Sequence, residues 1–318
     1  MLIDQLADFG SPVLLFSGGE PLTRKDVPEL ANYATSKGMH TVVSTNGTLI
    51  DHEMVEALQA ARLTYVGVSI DGLEQTHDIF RRRKGAFQGA LNGIRLCRDA
   101  GLKVGLRCTI NTKNVDEIPG IFDLIVQEKI PRVCFYHLVN AGRGKDMESA
   151  MLPHEATRKV VDAIIDYTAE LHAQGLNTEV LTVDNIADGP HLYLRMLKEN
   201  HPGAEKAYEL LRSTGGGSTG VGIGCVNWDG EVYPDQFWRN HPVGNVRQRA
   251  FGDIWTDLSN PLMRKLKNKA EYVTGRCSRC KFIQLCGGNF RARAEALTGD
   301  MWASDPACYL TDEEIGIK

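Results

Sequence analysis

Four cysteines near the end of the chain have the spacing of a metal-binding module. Cys277, Cys280 and Cys286 form a C-x2-C-x5-C run, and Cys308 follows after 21 intervening residues. Four thiolates on a loop-rich segment suit either a zinc ion or an iron–sulfur cluster, because both bind sulfur ligands. Charged neighbours such as Arg279 make four buried free thiols the less favoured interpretation. Spacing alone leaves zinc and iron–sulfur both open.

A second polar segment follows the first predicted strand and reads Ser17-Gly18-Gly19-Glu20-Pro21. Adjacent glycines let the backbone approach a ligand closely, and the Glu20 carboxylate can accept hydrogen bonds from an ammonium group. A Gly-Gly pair after a strand is by itself more often only a turn. Its position at the carboxyl end of a parallel strand favours a ligand site, since α/β sheets bind ligands there.

The next two predicted strands also end in polar residues, Ser44-Thr45-Asn46-Gly47 and Ser69-Ile70-Asp71-Gly72. Each segment alone is typical of a turn, because Asn-Gly and Asp-Gly are strong turn dipeptides. Their recurrence at successive strand ends predicts one shared site. Further members of this rim are Arg107, Tyr136, His137 and Arg143.

The elements that position these residues alternate between short β-branched runs and amphipathic segments of helical length. Each pair spans roughly 25 to 30 residues, which is typical of βα units and predicts a parallel sheet. Residues 1–9 are predicted to form a helix that precedes the first strand. We predict five strands, at residues 13–16, 40–44, 65–70, 103–110 and 132–138, with helices at 26–37, 51–60, 86–100 and 115–128.

The pattern changes after residue 153, where a long helix over 153–175 is followed by helices within 190–211. The run 215–220, rich in glycine and serine, predicts a flexible joint. We place a domain boundary there, between residues 1–214 and residues 215–318. The second domain is predicted to hold short strands near 222–226 and 231–233, a helix near 251–258 and the cysteine-rich tail.

The composition limits the function classes. With 42% hydrophobic and 24% charged residues among 318, the chain is expected to fold around a real core. Its 36 basic and 40 acidic residues give a net charge of -4, which argues against nucleic acid or an anionic membrane as a partner. No apolar run reaches the roughly 20 residues that span a bilayer, and the eight cysteines fit a reducing compartment, so we expect a cytoplasmic protein.

Together these motifs resemble the radical SAM enzymes that carry a C-terminal SPASM-type iron–sulfur domain, and the resemblance covers essentially the whole chain. It implies an α/β fold in which residues 1–214 form a partial (β/α)6 barrel lacking its first strand and residues 215–318 form the SPASM-like domain. It also implies S-adenosylmethionine as a cofactor. The residues expected at its amino group are Gly18, Gly19 and Glu20, and those expected near its ribose and carboxylate are Ser44, Asn46, Ser69 and Arg107.

The same resemblance implies a [4Fe–4S] auxiliary cluster. Its expected ligands are the four cysteines described above, Cys277, Cys280, Cys286 and Cys308. A full SPASM domain binds two such clusters, whereas Asp235 and Phe290 stand where further cysteines are expected. One auxiliary cluster is therefore predicted, with Cys225 spare.

Closer similarity lies in residues 136–144 (YHLVNAGRG), 228–235 (WDGEVYPD) and 305–314 (DPACYLTDEE). These resemble the tetrapyrrole-modifying branch of haem and porphyrin biosynthesis, including the 12,18-didecarboxysiroheme deacetylase. The resemblance implies an enzyme in which a radical derived from S-adenosylmethionine abstracts hydrogen from a siroheme-derived tetrapyrrole, with loss of acetate side chains. A reductant such as flavodoxin or ferredoxin is the implied partner. Candidates for binding the substrate carboxylates are Arg81, Arg82, Arg83, Lys84 and Arg143.

Three other interpretations stay open: a propionate-removing enzyme of denitrifier haem biosynthesis, a SPASM peptide maturase, and a non-catalytic iron–sulfur or zinc module. One departure from the family bears on all of them. The family's C-x3-C-x2-C loop, whose cluster cleaves S-adenosylmethionine, has no counterpart before Cys97. We therefore expect an N-terminally truncated form, or a gene start placed too late.

We predict that the purified chain treated with dithionite releases no 5′-deoxyadenosine from S-adenosylmethionine, because the thiolates that hold the cleaving cluster are missing from its first 96 residues. Liquid chromatography of the anaerobic reaction measures this. Detectable 5′-deoxyadenosine that scales with protein concentration would contradict the prediction.

Overall fold

The computed structural model describes residues 2–317, apart from the side chains at positions 142, 143, 145 and 146. The chain packs as two units. The first comprises Met1–Tyr136 with Asp162–Thr182, and the second comprises His137–Val161 with Val183–Lys318. The predicted boundary near residue 215 concerns sequence modules and stays a prediction. None of the helices within residues 2–317 combines the length and the apolar character needed to cross a bilayer.

The first unit is built on a six-stranded sheet whose spatial order follows the chain. The pairs from the first to the fourth strand are parallel, so the predicted α/β fold is confirmed. The prediction of five strands missed the sixth, which is short, only half-buried and therefore without a buried apolar run to mark it. The strands are β1 (Val13–Phe16), β2 (His40–Thr45), β3 (Tyr65–Ser69), β4 (Val104–Ile110), β5 (Arg132–His137) and β6 (Glu179–Val183).

Helices connect these strands, and local signals set their ends. Asp51 begins one helix by accepting a hydrogen bond from the Met54 amide at 2.8 Å, which satisfies a free N–H of the first turn. One helix, Glu74–Arg81, was missed by the sequence prediction, because His77 is its only fully buried side chain. The helices are α1 (Leu2–Phe9), α2 (Val27–Ser36), α3 (His52–Ala60), α4 (Glu74–Arg81), α5 (Ala86–Asp99), α6 (Ile118–Gln127) and α7 (His154–Ala173).

The second unit contains a small antiparallel sheet and short helices. Its three strands are β7 (Cys225–Val226), β8 (Glu231–Tyr233) and β9 (Gly244–Asn245). The helices are α8 (Asp188–Lys198), α9 (Ala204–Thr214), α10 (Phe251–Trp255), α11 (Pro261–Leu266), α12 (Lys269–Tyr272), α13 (Ile283–Cys286) and α14 (Arg291–Thr298).

The two faces of the six-stranded sheet differ in character. Val68, Leu106 and Phe135 are fully buried on one face, where the Phe135 ring stacks on Phe122 of α6 at 5.5 Å. Burying side chains of this size contributes about 1.5–3 kcal/mol each. Because side chains alternate along a strand, the opposite face carries the polar residues of the predicted site.

Two glycines make room on that polar face. Gly67 of β3 and Gly105 of β4 are opposite each other in the parallel register. A Cβ on Gly67 would lie 2.7 Å from the Arg107 Cδ, and one on Gly105 would lie 2.6 Å from the Arg132 backbone oxygen. The missing side chains therefore let Arg107 and the Tyr65 ring lie across the strands.

Gly105→Ala should lower the free energy of unfolding by about 1–3 kcal/mol, the usual cost of overpacking, because the Arg132 carbonyl is backbone and cannot rotate away. Urea denaturation followed by circular dichroism measures this. Gly222→Ala is the control, since its added Cβ would meet only the Ser218 side chain at 3.6 Å. Equal stability of both variants would contradict the packing argument.

Candidate functional site

Glu20 ties the loop after β1 to the end of β2. Its Oε1 accepts hydrogen bonds from the Leu22 amide at 3.0 Å and the Thr45 hydroxyl at 2.7 Å. Its Oε2 accepts from the Asn46 amide at 2.7 Å. A carboxylate has about four acceptor sites, so three hydrogen bonds leave one for a ligand. The predicted contact of Glu20 with the amino group of a cofactor stays a prediction.

The glycines of this loop leave its backbone accessible. Gly18 has a φ of +141°, which favours glycine, and a Cβ at Gly18 or Gly19 would meet no atom within 4 Å. The backbone groups of this loop are therefore open to an approaching ligand. In the next loop, the Asn46 side-chain oxygen accepts from the Thr48 amide at 2.9 Å, so this oxygen caps its own turn.

Arg107 presents a guanidinium on the polar face of the sheet. Its Cζ lies 4.5 Å from the centroid of the Tyr136 ring, and Ser69 is its register partner on β3. Within residues 2–317, no carboxylate pairs with this guanidinium and no hydrogen bond uses it. Ser44 lies on the same face, opposite Gly67. The structure thus brings Ser44, Ser69 and Arg107 to one surface, where the guanidinium is available to a carboxylate.

Asp71, which follows β3, has a structural role. Its buried carboxylate accepts from the Thr109 amide at 2.8 Å and pairs with the Arg81 guanidinium. Its own amide donates to His77 Nδ1 at 2.9 Å, and burial, followed by the nearby Arg81 charge, lowers the pKa of His77. The Asp71 carboxylate thus occupies Arg81, a candidate for substrate carboxylates. Arg82, Arg83 and Lys84 are exposed, and the side chain of Arg143 lies outside the described residues.

His137, at the end of β5, belongs to a buried network within the second unit. Its Nε2 lies 2.8 Å from one Asp188 oxygen, and the Tyr309 hydroxyl donates to the other at 2.8 Å. All three side chains are buried, so the hydrogen bonds satisfy polar groups that water cannot reach. The sequence marked His137 as a rim residue but gave no signal for its partner Asp188.

The four cysteines of the C-terminal run line one small, mostly apolar cavity. Cys277 opens a single turn of 3-10 helix, Cys286 ends α13, and Cys308 lies in the loop after α14. The described lining is otherwise mostly apolar, and Arg276 is its one charged side chain. Residues 31 positions apart thus line one cavity, and their role as cluster ligands stays a prediction.

The environment of these thiols suits a cluster of positive metal ions. Burial raises the pKa of the Cys308 thiol to about 11, and burial together with the neighbouring thiols also raises the pKa of Cys286. Backbone amides donate to two sulfurs, from Asn289 to Cys286 at 3.0 Å and from Phe282 to Cys280 at 3.4 Å. At this site the charged thiolate form therefore requires positive metal ions close to it. The amide hydrogen bonds also stabilise this form.

The spacing of the sulfur atoms bears on the choice between zinc and an iron–sulfur cluster. A single zinc ion requires all of its sulfur ligands within about 2.3 Å of one point. Across residues 2–317, no three cysteine, histidine or acidic side chains are close enough together to hold one metal ion. Among the described residues, the four thiols therefore share a cavity without forming a recognised single-ion site.

A fully buried ion pair fixes the loop that carries Cys308. Arg293 donates to both oxygens of Asp305, at 3.1 and 2.8 Å, and both side chains have no exposed surface. Asp305 also accepts from the amides of Phe290 and Ala307, at 3.0 and 2.9 Å. The sequence of residues 305–314 carries no signal for this pairing with Arg293.

Asp235 and Phe290 stand at the positions where further cluster ligands were expected, and both side chains contact other residues of the protein. Asp235 is buried and accepts from the Thr219 hydroxyl at 2.7 Å and the Phe237 amide at 2.9 Å. Burial raises the pKa of this carboxyl group. The Phe290 ring packs edge-on against Phe237 at 5.6 Å. Cys225 stands apart on β7, half-buried.

Comparison with known proteins identifies two family models within the chain. Residues 1–125 match the radical SAM superfamily, and residues 222–281 match the SPASM iron–sulfur cluster-binding domain. Fe-coproporphyrin III synthase of Methanosarcina barkeri is 58% identical over 318 residues, covering 99% of this chain and 80% of the relative. Pre-heme d1 synthase of Dinoroseobacter shibae is 38% identical, covering 99% of this chain and 78% of the relative.

Solved structures share the fold at low identity. Native anSMEcpe with bound AdoMet aligns with a TM-score of 0.70 at 18% identity, covering 96% of this chain and 82% of that one. SuiB of Streptococcus suis aligns with a TM-score of 0.73 at 16% identity, covering 97% of this chain and 69% of that one. These likenesses establish the fold alone.

We predict that protein reconstituted anaerobically with iron and sulfide binds about four of each per chain, since one set of four thiols lines one cavity. Cys277→Ala or Cys308→Ala should remove most of this iron. Cys97→Ala is the matched control, because that thiol is buried in α5, outside the cavity. Iron and sulfide assays measure the result, and undiminished iron in the Cys277 variant would contradict the ligand set.

Proposed function

The chain belongs to the radical SAM superfamily with a SPASM domain, in the group of AdoMet-dependent haem synthases, and on this premise we propose that it removes acetate side chains from a siroheme-derived tetrapyrrole. The cofactors of such an enzyme are S-adenosylmethionine and [4Fe–4S] clusters. The name of the relative with 58% identity, Fe-coproporphyrin III synthase, supports a tetrapyrrole as the substrate.

The cluster cavity is the observation that carries the proposal. Four thiols, an apolar wall and two amide-to-sulfur hydrogen bonds support a cluster site on this chain. We infer that Cys277, Cys280, Cys286 and Cys308 hold the auxiliary cluster. The buried Arg293–Asp305 pair ties the loop that carries Cys308 to α14.

The polar face of the first unit supports binding of S-adenosylmethionine, which supplies the radical chemistry when bound. We infer that the open backbone at Gly18 and Gly19, with the remaining acceptor site of Glu20, receives its amino group. Arg107 then pairs with its carboxylate, because this guanidinium has no carboxylate partner among the described residues and lies against the Tyr136 ring. Ser44 and Ser69 offer hydroxyl groups on the same face.

We expect cluster-loaded protein to bind 12,18-didecarboxysiroheme at micromolar concentration, with a shift of its visible absorbance, because the substrate must bind before any radical chemistry. Anaerobic absorbance titration measures this. A short cysteine-containing peptide serves as the control, since a peptide maturase would bind the peptide instead. Peptide binding without tetrapyrrole binding would contradict the proposed function.

A further inference from the structure

The turn between β7 and β8 presents an exposed tryptophan. Trp228 is 78% exposed, the highest value among the large apolar side chains of the described chain. The turn itself is well ordered by hydrogen bonds. Asn227 donates its amide to the Glu231 carbonyl at 2.9 Å, and Gly230, with a φ of +89°, donates to the Asn227 carbonyl at 3.0 Å. An ordered turn thus displays an indole that is largely exposed.

Two guanidinium groups accompany this indole. The Arg239 Cζ lies 5.7 Å from the centroid of the Trp228 ring, and Arg247 donates to the Trp228 carbonyl at 3.0 Å. Neither guanidinium pairs with a carboxylate anywhere in residues 2–317. The nearby acids have other partners, since Asp229 accepts from the Glu231 amide at 3.1 Å and Glu231 accepts from Asn245 at 3.2 Å.

We propose that the Trp228 hairpin, defined as Cys225–Tyr233 with Arg239 and Arg247, is a binding surface for the tetrapyrrole. The flat ring of the ligand stacks on the indole, and its carboxylate arms pair with Arg239 and Arg247. This inference rests on the proposed function and names a surface that receives its substrate.

The size of the surface favours this occupant over a protein. A stable protein interface buries about 800 Å² on each partner, whereas one tryptophan supplies about 150–250 Å². An exposed indole with Arg239 over its ring and Arg247 at its backbone carbonyl matches a planar, carboxylate-bearing ligand. It does not match a second copy of the chain, which would present the same two cations.

The test uses coproporphyrin III as the probe, titrated into the full chain and followed by absorbance. Trp228→Ala should raise Kd about tenfold, because the stacking face is lost, while Trp228→Phe, which keeps an aromatic face, should stay within about threefold of the unmodified protein. Because Trp228 is exposed, both variants are expected to fold, and circular dichroism checks this.

The charge contacts are tested separately. The double variant R239A/R247A should raise Kd about tenfold at low salt, with the difference shrinking as salt screens the ion pairs. Arg249→Ala is the matched control, since that guanidinium already pairs with Asp257 at 2.9 Å, and its Kd should change less than twofold.

The outcomes separate the two proposals. If the unmodified protein binds no tetrapyrrole at all, the proposed function is overturned and this inference with it. If the unmodified protein binds coproporphyrin III and Trp228→Ala binds it equally well, the inference is overturned and the proposed function stands. Loss of a dimer in Trp228→Ala by size-exclusion chromatography, with unchanged porphyrin affinity, also overturns the inference.

Discussion

The buried pair of Arg293 and Asp305 is the interaction on which the C-terminal site depends. Desolvating two charges is costly, and the cost is offset because each carboxylate oxygen of Asp305 accepts two hydrogen bonds, one from Arg293 and one from a backbone amide. Removing one member of such a pair typically costs about 3–5 kcal/mol. The pair therefore commits the chain between α14 and Cys308 to one path, and the fourth thiol reaches the cavity only along that path.

The first unit uses a carboxylate in the same way. Glu20 connects the loop after β1 with the end of β2, as Asp71 connects the turn after β3 with β4. Successive parallel strands are thus held together at their carboxyl ends by side chains, in addition to the sheet hydrogen bonds. Loops that would otherwise be mobile become a fixed rim, which leaves the glycine backbone and the Arg107 guanidinium available to a ligand.

The features that could be predicted from the sequence are those in which the chemistry requires particular residue types at particular spacings. The C-x2-C-x5-C run and the Gly-Gly-Glu loop belong to this class, as do the β-branched runs of the first five strands. Helix α4 and strand β6 escaped prediction because their residues are mostly exposed or half-buried, so no buried apolar run marks them. Elements with deeply buried side chains could be predicted from the sequence, whereas elements with little burial could not.

Contacts between residues that are distant in the sequence could not be predicted either. Arg81 stands in a basic run that is typical of a solvated surface, and only the fold reveals that Asp71 pairs with it. The exposure of Trp228 is a tertiary property too, since the same residue type is buried at Trp238 and Trp255. Likewise, spacing could not distinguish zinc from an iron–sulfur cluster, because the distinction depends on how far apart the sulfur atoms lie in space.

The amide groups of Asn289 and Phe282 have a consequence for electron transfer. A hydrogen bond to a cluster sulfur stabilises the more negative, reduced form, so it moves the reduction potential upward. The nearby Arg276 guanidinium acts in the same direction through its charge. Since the amides belong to the backbone, no substitution except by proline removes them. The fold of the segment from α13 to α14 therefore helps to determine how readily a cluster held there accepts an electron.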